Sequence, residues 1–212
     1  MRALGAFILH TLLVIILTVV TQIGGLIYII CLLVFKRFTL SKWIFKPLIF
    51  IAVYLTVTIG VVPFIAPLFG REKIANTENL SSHNYFYILA NRNYVRPALN
   101  AVLGDISSKL ANQYPGIQIK YLDANFPFIN GFSLLPHLSH NDGKKVDITL
   151  LYESPDGTLT NAKKSFSGYG VFEEAKANEH NQSDYCKSKG YWQYDFTKYT
   201  SCLLYTSPSP RD

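Results

Sequence analysis

Two long runs without a charged side chain constrain the fold of this 212-residue chain more than any other feature. Residues 4–35 contain no Asp, Glu, Lys or Arg, and residues 47–70 contain none either. Each run exceeds the roughly 18 apolar residues that indicate a membrane-spanning helix. A signal peptide does not fit the first run, because its apolar core is shorter and a small-residue cleavage site follows it. We therefore predict a transmembrane hairpin over residues 1–70, with spans at 7–35 and 47–69.

The positive charge of the chain is concentrated between these two spans. The net charge is +6, and the basic segment 36–46 contains no acid and four basic residues, Lys36, Arg37, Lys42 and Lys46. Basic residues in short loops between spans stay in the cytoplasm. We therefore expect a multi-pass protein of the inner or cytoplasmic membrane. Both the start of the chain and everything after the second span would then lie in the periplasm or at the cell exterior.

The rest of the chain is almost neutral, with 14 basic and 13 acidic residues between positions 71 and 201. A nucleic-acid-binding protein needs a basic patch or stripe, so we expect no nucleic acid partner. The partner expected for the two apolar runs is the lipid bilayer.

The last eleven residues, 202–212, read CLLYTSPSPRD and resemble one translated frame of a sequencing adapter. We expect this tail to be an artefact, in the way that a fusion scar is one. The exported domain, residues 94–201, is then expected to be incomplete at its C-terminal end.

The exported part begins with a polar stretch, residues 71–93, which we predict to be a linker. A helix is expected next, because apolar residues recur at steps of three and four and form one stripe. These residues are Val95, Leu99, Val102, Leu103, Ile106 and Leu110. Pro97 fits the first turn of this helix, and Tyr114-Pro115-Gly116 is expected to end it.

Alternating apolar and polar residues then predict a small antiparallel sheet. The first half-buried strand contains Ile117, Ile119 and Tyr121, and the second covers Val146–Tyr152. Residues 123–136 are expected to form a structured loop. Ser154-Pro155-Asp156-Gly157 is a strong turn signal, after which Thr158–Thr160 can return as a hairpin partner. The predicted fold class is α+β, a two-helix transmembrane hairpin followed by a truncated α+β domain.

The segment 136–148, PHLSHNDGKKVDI, contains the candidate metal ligands. His140 lies in a loop just before a strand, and Asp147 lies inside that strand. Imidazole and carboxylate groups both suit zinc. Gly143, between them, allows the sharp turn that lets the two side chains converge. Two ligands are fewer than the three that a catalytic zinc site takes from protein.

The string Ser139-His140-x-x-Gly143-x-x-Val146-Asp147-Ile148 resembles a known zinc peptidase superfamily. Its members include D-alanyl-D-alanine peptidases, penicillin-insensitive murein endopeptidases and the Hedgehog signalling domain, and its motif is His-x-x-Gly-x-x-x-Asp. The resemblance covers residues 95–152, with a helix, a turn and a strand before the motif. It implies a zinc-peptidase-like domain in which His140 and Asp147 hold Zn²⁺.

The superfamily takes its third zinc ligand from a His-x-His motif near the end of the domain, and this sequence has none. The resemblance therefore implies an incomplete site, and it identifies no catalytic residue. His137 is either an alternative ligand, a hydrogen-bonding neighbour of the ligands, or a loop histidine bonded to a backbone carbonyl. His180 is either a substitute third ligand or a surface residue.

The function implied by the resemblance is that of a membrane-anchored zinc metallopeptidase of the D-Ala-D-Ala or murein endopeptidase type. Its substrate would be peptidoglycan peptides, and metal-activated water would hydrolyse the amide bond. The chain in hand, as a fragment, is then expected to be inactive. The alternative is a non-catalytic, membrane-tethered ectodomain with a decayed peptidase fold and a binding or structural role in the envelope.

Overall fold

The computed structural model describes residues 2–37, 45–154, 156–163, 165–169, 178 and 180–190. These residues form an α+β structure. The elements in chain order are α1 Arg2–Thr21, α2 Gly24–Arg37, α3 Phe45–Gly60, α4 Val62–Ile65, a 3-10 helix Ala66–Phe69, β1 Glu72–Lys73, β2 Leu80–Ser82, α5 Tyr85–Leu89, β3 Tyr94–Val95, α6 Pro97–Gln113, β4 Ile119–Tyr121, β5 Tyr152–Glu153, β6 Leu159–Thr160 and α7 Gln182–Ser188.

The chain divides into two compact units, Met1–Ile148 and Thr149–Asp212. The first unit contains the apolar helices together with most of the domain that the sequence predicts to be separate from them. The predicted domain boundaries at residues 70 and 93 therefore do not appear as boundaries in the structure.

The first apolar run is two helices, so the prediction of one span over residues 7–35 is wrong. The chain reverses between α1 and α2, because the His10 Nδ1 atom lies 2.8 Å from the Tyr28 hydroxyl. In one continuous helix, eighteen residues would separate these two positions by about 27 Å. The reversal places α2 back along α1.

The reversal is built from a short polar turn inside the apolar run. Gln22 adopts a φ of 67°, in the left-handed region that stops a helix. The Thr21 hydroxyl accepts a hydrogen bond from the Gly24 backbone N–H at 2.8 Å, which caps the start of α2. A Cβ at Gly25 would lie 2.6 Å from the Val14 carbonyl oxygen. Glycine is therefore required where α2 passes closest to α1.

Among the described residues, two helical segments are long and apolar enough to cross a membrane, Ala3–Thr21 and Phe45–Phe69. The second agrees with the predicted span at 47–69 and runs through α3, α4 and the 3-10 helix. Their apolar side chains are largely exposed, for example Phe7, Leu48 and Phe64 at 68%, 57% and 79%. Length, composition and exposure are those expected of helices that face lipid.

Residues 71–93, predicted to be a linker, are part of the folded core. They contain β1, β2 and α5. Ile74 is fully buried and Leu80 is 3% exposed. Their burial depends on long-range strand pairing, because β1 pairs antiparallel with β3 and β2 pairs parallel with β4. The parallel pair also departs from the predicted antiparallel sheet.

Two apolar clusters stabilise the first unit. One joins α2 to the end of the second apolar run and to β3, through Ile23, Ile27, Cys31, Phe35, Val62, Ala66 and Tyr94. The other joins the short strands to α6, through Ile74, Leu80, Val95, Leu103, Ile119, Tyr121 and Ala124. Helix α6 begins at Pro97 and ends before Tyr114, as predicted. Two members of its predicted apolar stripe, Val102 and Ile106, are each 49% exposed.

The predicted strand Val146–Tyr152 is not one strand. Ile148 forms an isolated antiparallel bridge with Tyr121 in the first unit. Tyr152 lies in β5 of the second unit, which pairs antiparallel with β6. The predicted turn between β5 and β6 is confirmed, because the Gly157 N–H donates to the Ser154 carbonyl at 2.9 Å.

Candidate metal centre

The backbone around Asp147 is fixed against the residues that follow β4. The Asp147 N–H donates to the Asp123 carbonyl at 2.7 Å, and the Leu122 N–H donates to the Asp147 carbonyl at 2.8 Å. Short β-type pairing of this kind orients the Asp147 side chain toward the loop that precedes it in sequence. The position of Asp147 therefore depends on Leu122 and Asp123, more than twenty residues earlier in the chain.

Gly143 makes the turn that the sequence predicts between the two candidate ligands. Its φ is 78°, and a Cβ there would lie 2.5 Å from the Arg71 guanidinium carbon. Its N–H donates to the Asn125 side-chain oxygen at 3.0 Å, and its carbonyl accepts from the Arg96 N–H at 2.8 Å. A larger residue would clash with Arg71 and strain the backbone.

His140 is buried, at 5% exposure, and is oriented by a backbone carbonyl. Its Nδ1 lies 2.7 Å from the Ala124 carbonyl oxygen, so this nitrogen carries a proton and donates it. The other ring nitrogen, Nε2, lies 3.2 Å from the Asp147 Oδ1 atom. In the neutral imidazole both of these facing atoms have lone pairs. A cation between them would be bound by both lone pairs.

His137 faces two carboxylates, so the interpretation as a loop histidine bonded to a backbone carbonyl is not what the structure has. Its Nδ1 lies 3.0 Å from the Asp147 Oδ2 atom and 3.3 Å from the Asp123 Oδ2 atom. Hydrogen bonding to Asp123, and then to Asp147, raises the pKa of His137 to about 9, against the opposing effect of burial. His137 is therefore protonated at neutral pH when no metal competes for it.

Asp123 is the functional neighbour that the sequence reasoning missed. Its side chain is 3% exposed, and its Oδ1 lies 2.8 Å from the Arg92 Nε atom. Arg92 also donates from Nη2 to the Leu135 carbonyl, two residues before His137. Arg92 therefore links Asp123, which follows β4, to the loop that carries His137. The only sequence signal was a carboxylate two residues after a buried strand.

Together, His137, His140 and Asp147 form a group that can hold a metal ion, with one potential ligand atom from each within 4.8 Å of the others. The His137 and Asp147 side chains are 29% and 31% exposed, so solvent reaches the group. The expected pair, His140 and Asp147, is brought together, and His137 joins it. His180 is not in the group; it lies in the second unit with its ring 5.4 Å from that of Tyr185.

No family model, curated protein or solved structure matches this chain. The class that the fold and site define is therefore that of an α+β protein with two helices able to span a membrane and a His-His-Asp group able to hold a metal ion.

Proposed function

We propose that this chain is a membrane-anchored zinc metallopeptidase that hydrolyses amide bonds in peptidoglycan peptides. The observation that carries the proposal is the convergence of His137, His140 and Asp147 to within 4.8 Å. A three-residue group meets the number of protein ligands that a catalytic zinc site uses. In this proposal His137 takes the place of the third ligand that the resemblance expects near the end of the domain.

The donor set favours zinc over the alkaline-earth cations. Two imidazole nitrogens and one carboxylate suit zinc, whereas calcium and magnesium prefer oxygen ligands. The proton on His140 Nδ1, held by Ala124, leaves Nε2 as the donor atom. Asp147 presents one oxygen to each histidine, at 3.2 Å and 3.0 Å. A cation in this position would be shared by the carboxylate and both imidazoles.

Bound zinc supplies Lewis-acid chemistry: it polarises a carbonyl group and lowers the pKa of a coordinated water. The residues of this chain hold and orient the site for that chemistry. Asp123 contacts His137 and is itself fixed by Arg92. The partial exposure of His137 and Asp147 gives solvent access to the group.

The substrate class and the location come from the resemblance of the motif and from the apolar helices. Peptidoglycan peptides lie outside the cytoplasmic membrane, where the charge of segment 36–46 favours placing the residues after the second span. The helices would keep the metal centre close to the membrane surface.

The test is metal content and hydrolysis with the full chain purified in detergent. The chain is equilibrated with zinc, and its metal content is measured by mass spectrometry. We expect about one zinc ion per chain, because three ligands converge. Cleavage of purified muropeptides is measured with the same sample. Asp147→Asn is expected to lose both zinc and cleavage while remaining folded, with a cooperative thermal melting transition.

His180→Ala is the matched control, because it removes an imidazole outside the group and is expected to change neither readout. Zinc binding without cleavage would leave a metal-binding ectodomain and refute the peptidase. Unchanged zinc content in Asp147→Asn would refute the metal centre itself.

A further inference from the structure

We infer that α1, α2 and α3 form one membrane-embedded unit of three segments, with the start of α1 on the same side of the bilayer as the basic segment 36–46. The turn between α1 and α2 then lies on the opposite side, against the folded domain. The inference rests on the membrane anchoring proposed above. It adds a third embedded segment, and it reverses the side expected for the start of the chain.

The turn between α1 and α2 is attached to the folded domain. The Phe128 backbone N–H donates to the Gln22 side-chain oxygen at 3.0 Å. Ile23, at 8% exposure, belongs to the apolar cluster that also contains Tyr94 of β3. The end of the second apolar run reaches the same place, because the Phe69 and Phe128 rings lie 5.0 Å apart in an edge-to-face contact. Both the turn and residue 69 therefore lie at the domain end of the helices.

From this turn, α2 leads away from the domain. It has 14 residues and carries Lys36 and Arg37 in its last turn, so it ends about 21 Å from its start. Helix α3 returns toward the domain, since the Phe50 ring packs 5.5 Å from Tyr28 and the Tyr54 hydroxyl donates to the Leu89 carbonyl at 2.6 Å. Lys36 and Arg37 at the end of α2, and Lys46 at the start of α3, are thus at the end remote from the domain.

Helix α1 is antiparallel to α2, so its start lies beside the end of α2. The His10–Tyr28 contact and the close approach of Gly25 to Val14 fix this arrangement. The start of α1, at Arg2, then lies on the same side as Lys36, Arg37 and Lys46. Concentrating positive charge on one face is the pattern that keeps that face cytoplasmic and attracts anionic lipid headgroups.

The partner that fits this three-helix surface is the bilayer itself. Outward-facing side chains on all three helices are apolar and exposed, including Leu9 at 57%, Leu33 at 63% and Ile51 at 50%. Helix α2 is shorter than a 30 Å hydrocarbon core, and local thinning together with the long side chains of Lys36 and Arg37 can absorb that difference.

Cysteine accessibility tests the arrangement in membrane vesicles containing the full chain. Cys31, Cys186 and Cys202 are first replaced by serine. Single cysteines are then introduced by Ala3→Cys, Ser41→Cys and Asp105→Cys, the last at a side chain that is 60% exposed in the domain. A membrane-impermeant maleimide is applied to right-side-out and to inside-out vesicles.

We expect Ala3→Cys and Ser41→Cys to react in the same vesicle orientation, and Asp105→Cys to react only in the other. A fourth variant, Ile30→Cys, places the thiol in the middle of α2 and is expected to react only after detergent is added. Reaction of Ala3→Cys in the same orientation as Asp105→Cys would overturn the inference, as would reaction of Ile30→Cys without detergent.

The membrane anchoring has its own readout. Alkaline carbonate should leave the chain in the pellet of washed vesicles. Release into the supernatant would refute both the anchoring and the three-segment arrangement, whereas zinc binding by the detergent-purified chain would be unaffected. A chain that stays in the pellet but labels as a two-span hairpin would refute the arrangement alone.

Discussion

Metal binding to the His137–His140–Asp147 group should depend steeply on pH, because a proton occupies His137 first. The pKa of His137 is raised to about 9 by Asp123 and Asp147. At pH 7 only about 1% of the imidazole is then neutral, and a metal must displace the proton to bind. Displacing it across two pKa units costs about 2.7 kcal/mol, or a factor of about 100 in affinity.

The direction of the pH dependence follows from the competition between a proton and zinc for His137. Lowering the pH favours protonated His137 and weakens binding, and raising the pH toward 9 strengthens it. We expect the zinc dissociation constant to fall about 25-fold between pH 7 and pH 8.5, with close to one proton released per zinc bound. A histidine with an ordinary pKa near 6.5 would leave the zinc dissociation constant almost independent of pH in this range.

The assay is competition with a chromophoric zinc chelator, together with titration calorimetry in buffers of different ionisation enthalpy. His137→Gln should weaken binding at every pH and flatten the slope, while His180→Gln should leave both unchanged. A dissociation constant that is independent of pH between 7 and 8.5 in the unaltered chain would refute the placement of a protonated His137 between the two carboxylates.

Three further outcomes concern stability and are measured by thermal or chemical denaturation in detergent with EDTA present. Arg92→Leu should cost about 3 kcal/mol, because it removes the closer of the two cations, Arg92 and protonated His137, that face the buried Asp123 carboxylate; a loss below about 1 kcal/mol would contradict this. Gly143→Ala should cost more than Gly116→Ala, since both positions have positive φ but only the first has Arg71 within 4 Å of a Cβ; equal losses would exclude the clash. The raised pKa of His137 stabilises the metal-free fold fully below pH 6.5, by up to about 3 kcal/mol. That stabilisation should fade as the pH rises through about 9 and be absent in His137→Gln, and a melting temperature that does not fall over this interval would argue against it.

Local signals were sufficient for some elements. Helix α6 begins at its proline and stops at Tyr114 because both ends are set by the residues that occupy them. The hairpin of β5 and β6 follows from its turn residues in the same way. The approach of His140 to Asp147 was also predictable, since a loop and the adjoining extended stretch bring positions seven apart together around a glycine.

Other features depend on contacts that periodicity cannot reveal. The reversal at Gln22 sits in an uninterrupted apolar run, where hydropathy reads a single long span. The core residues Ile74 and Leu80 are isolated among polar neighbours and become buried only by pairing with distant strands. His137 acquires its role from Asp123, which reaches it through the fold. The parent superfamily suggested by the motif stays a prediction.

Phe128 has a practical consequence for anyone who wishes to study the metal centre in water. It contacts Gln22 and Phe69, and Tyr94 shares the apolar cluster of α2. Removing residues 1–70 would expose the Phe128 and Tyr94 rings to water. It would also remove the contacts that hold the loop leading to His137. The helices and the residues around the candidate metal centre thus share one core, and a truncation without the helices is expected to aggregate.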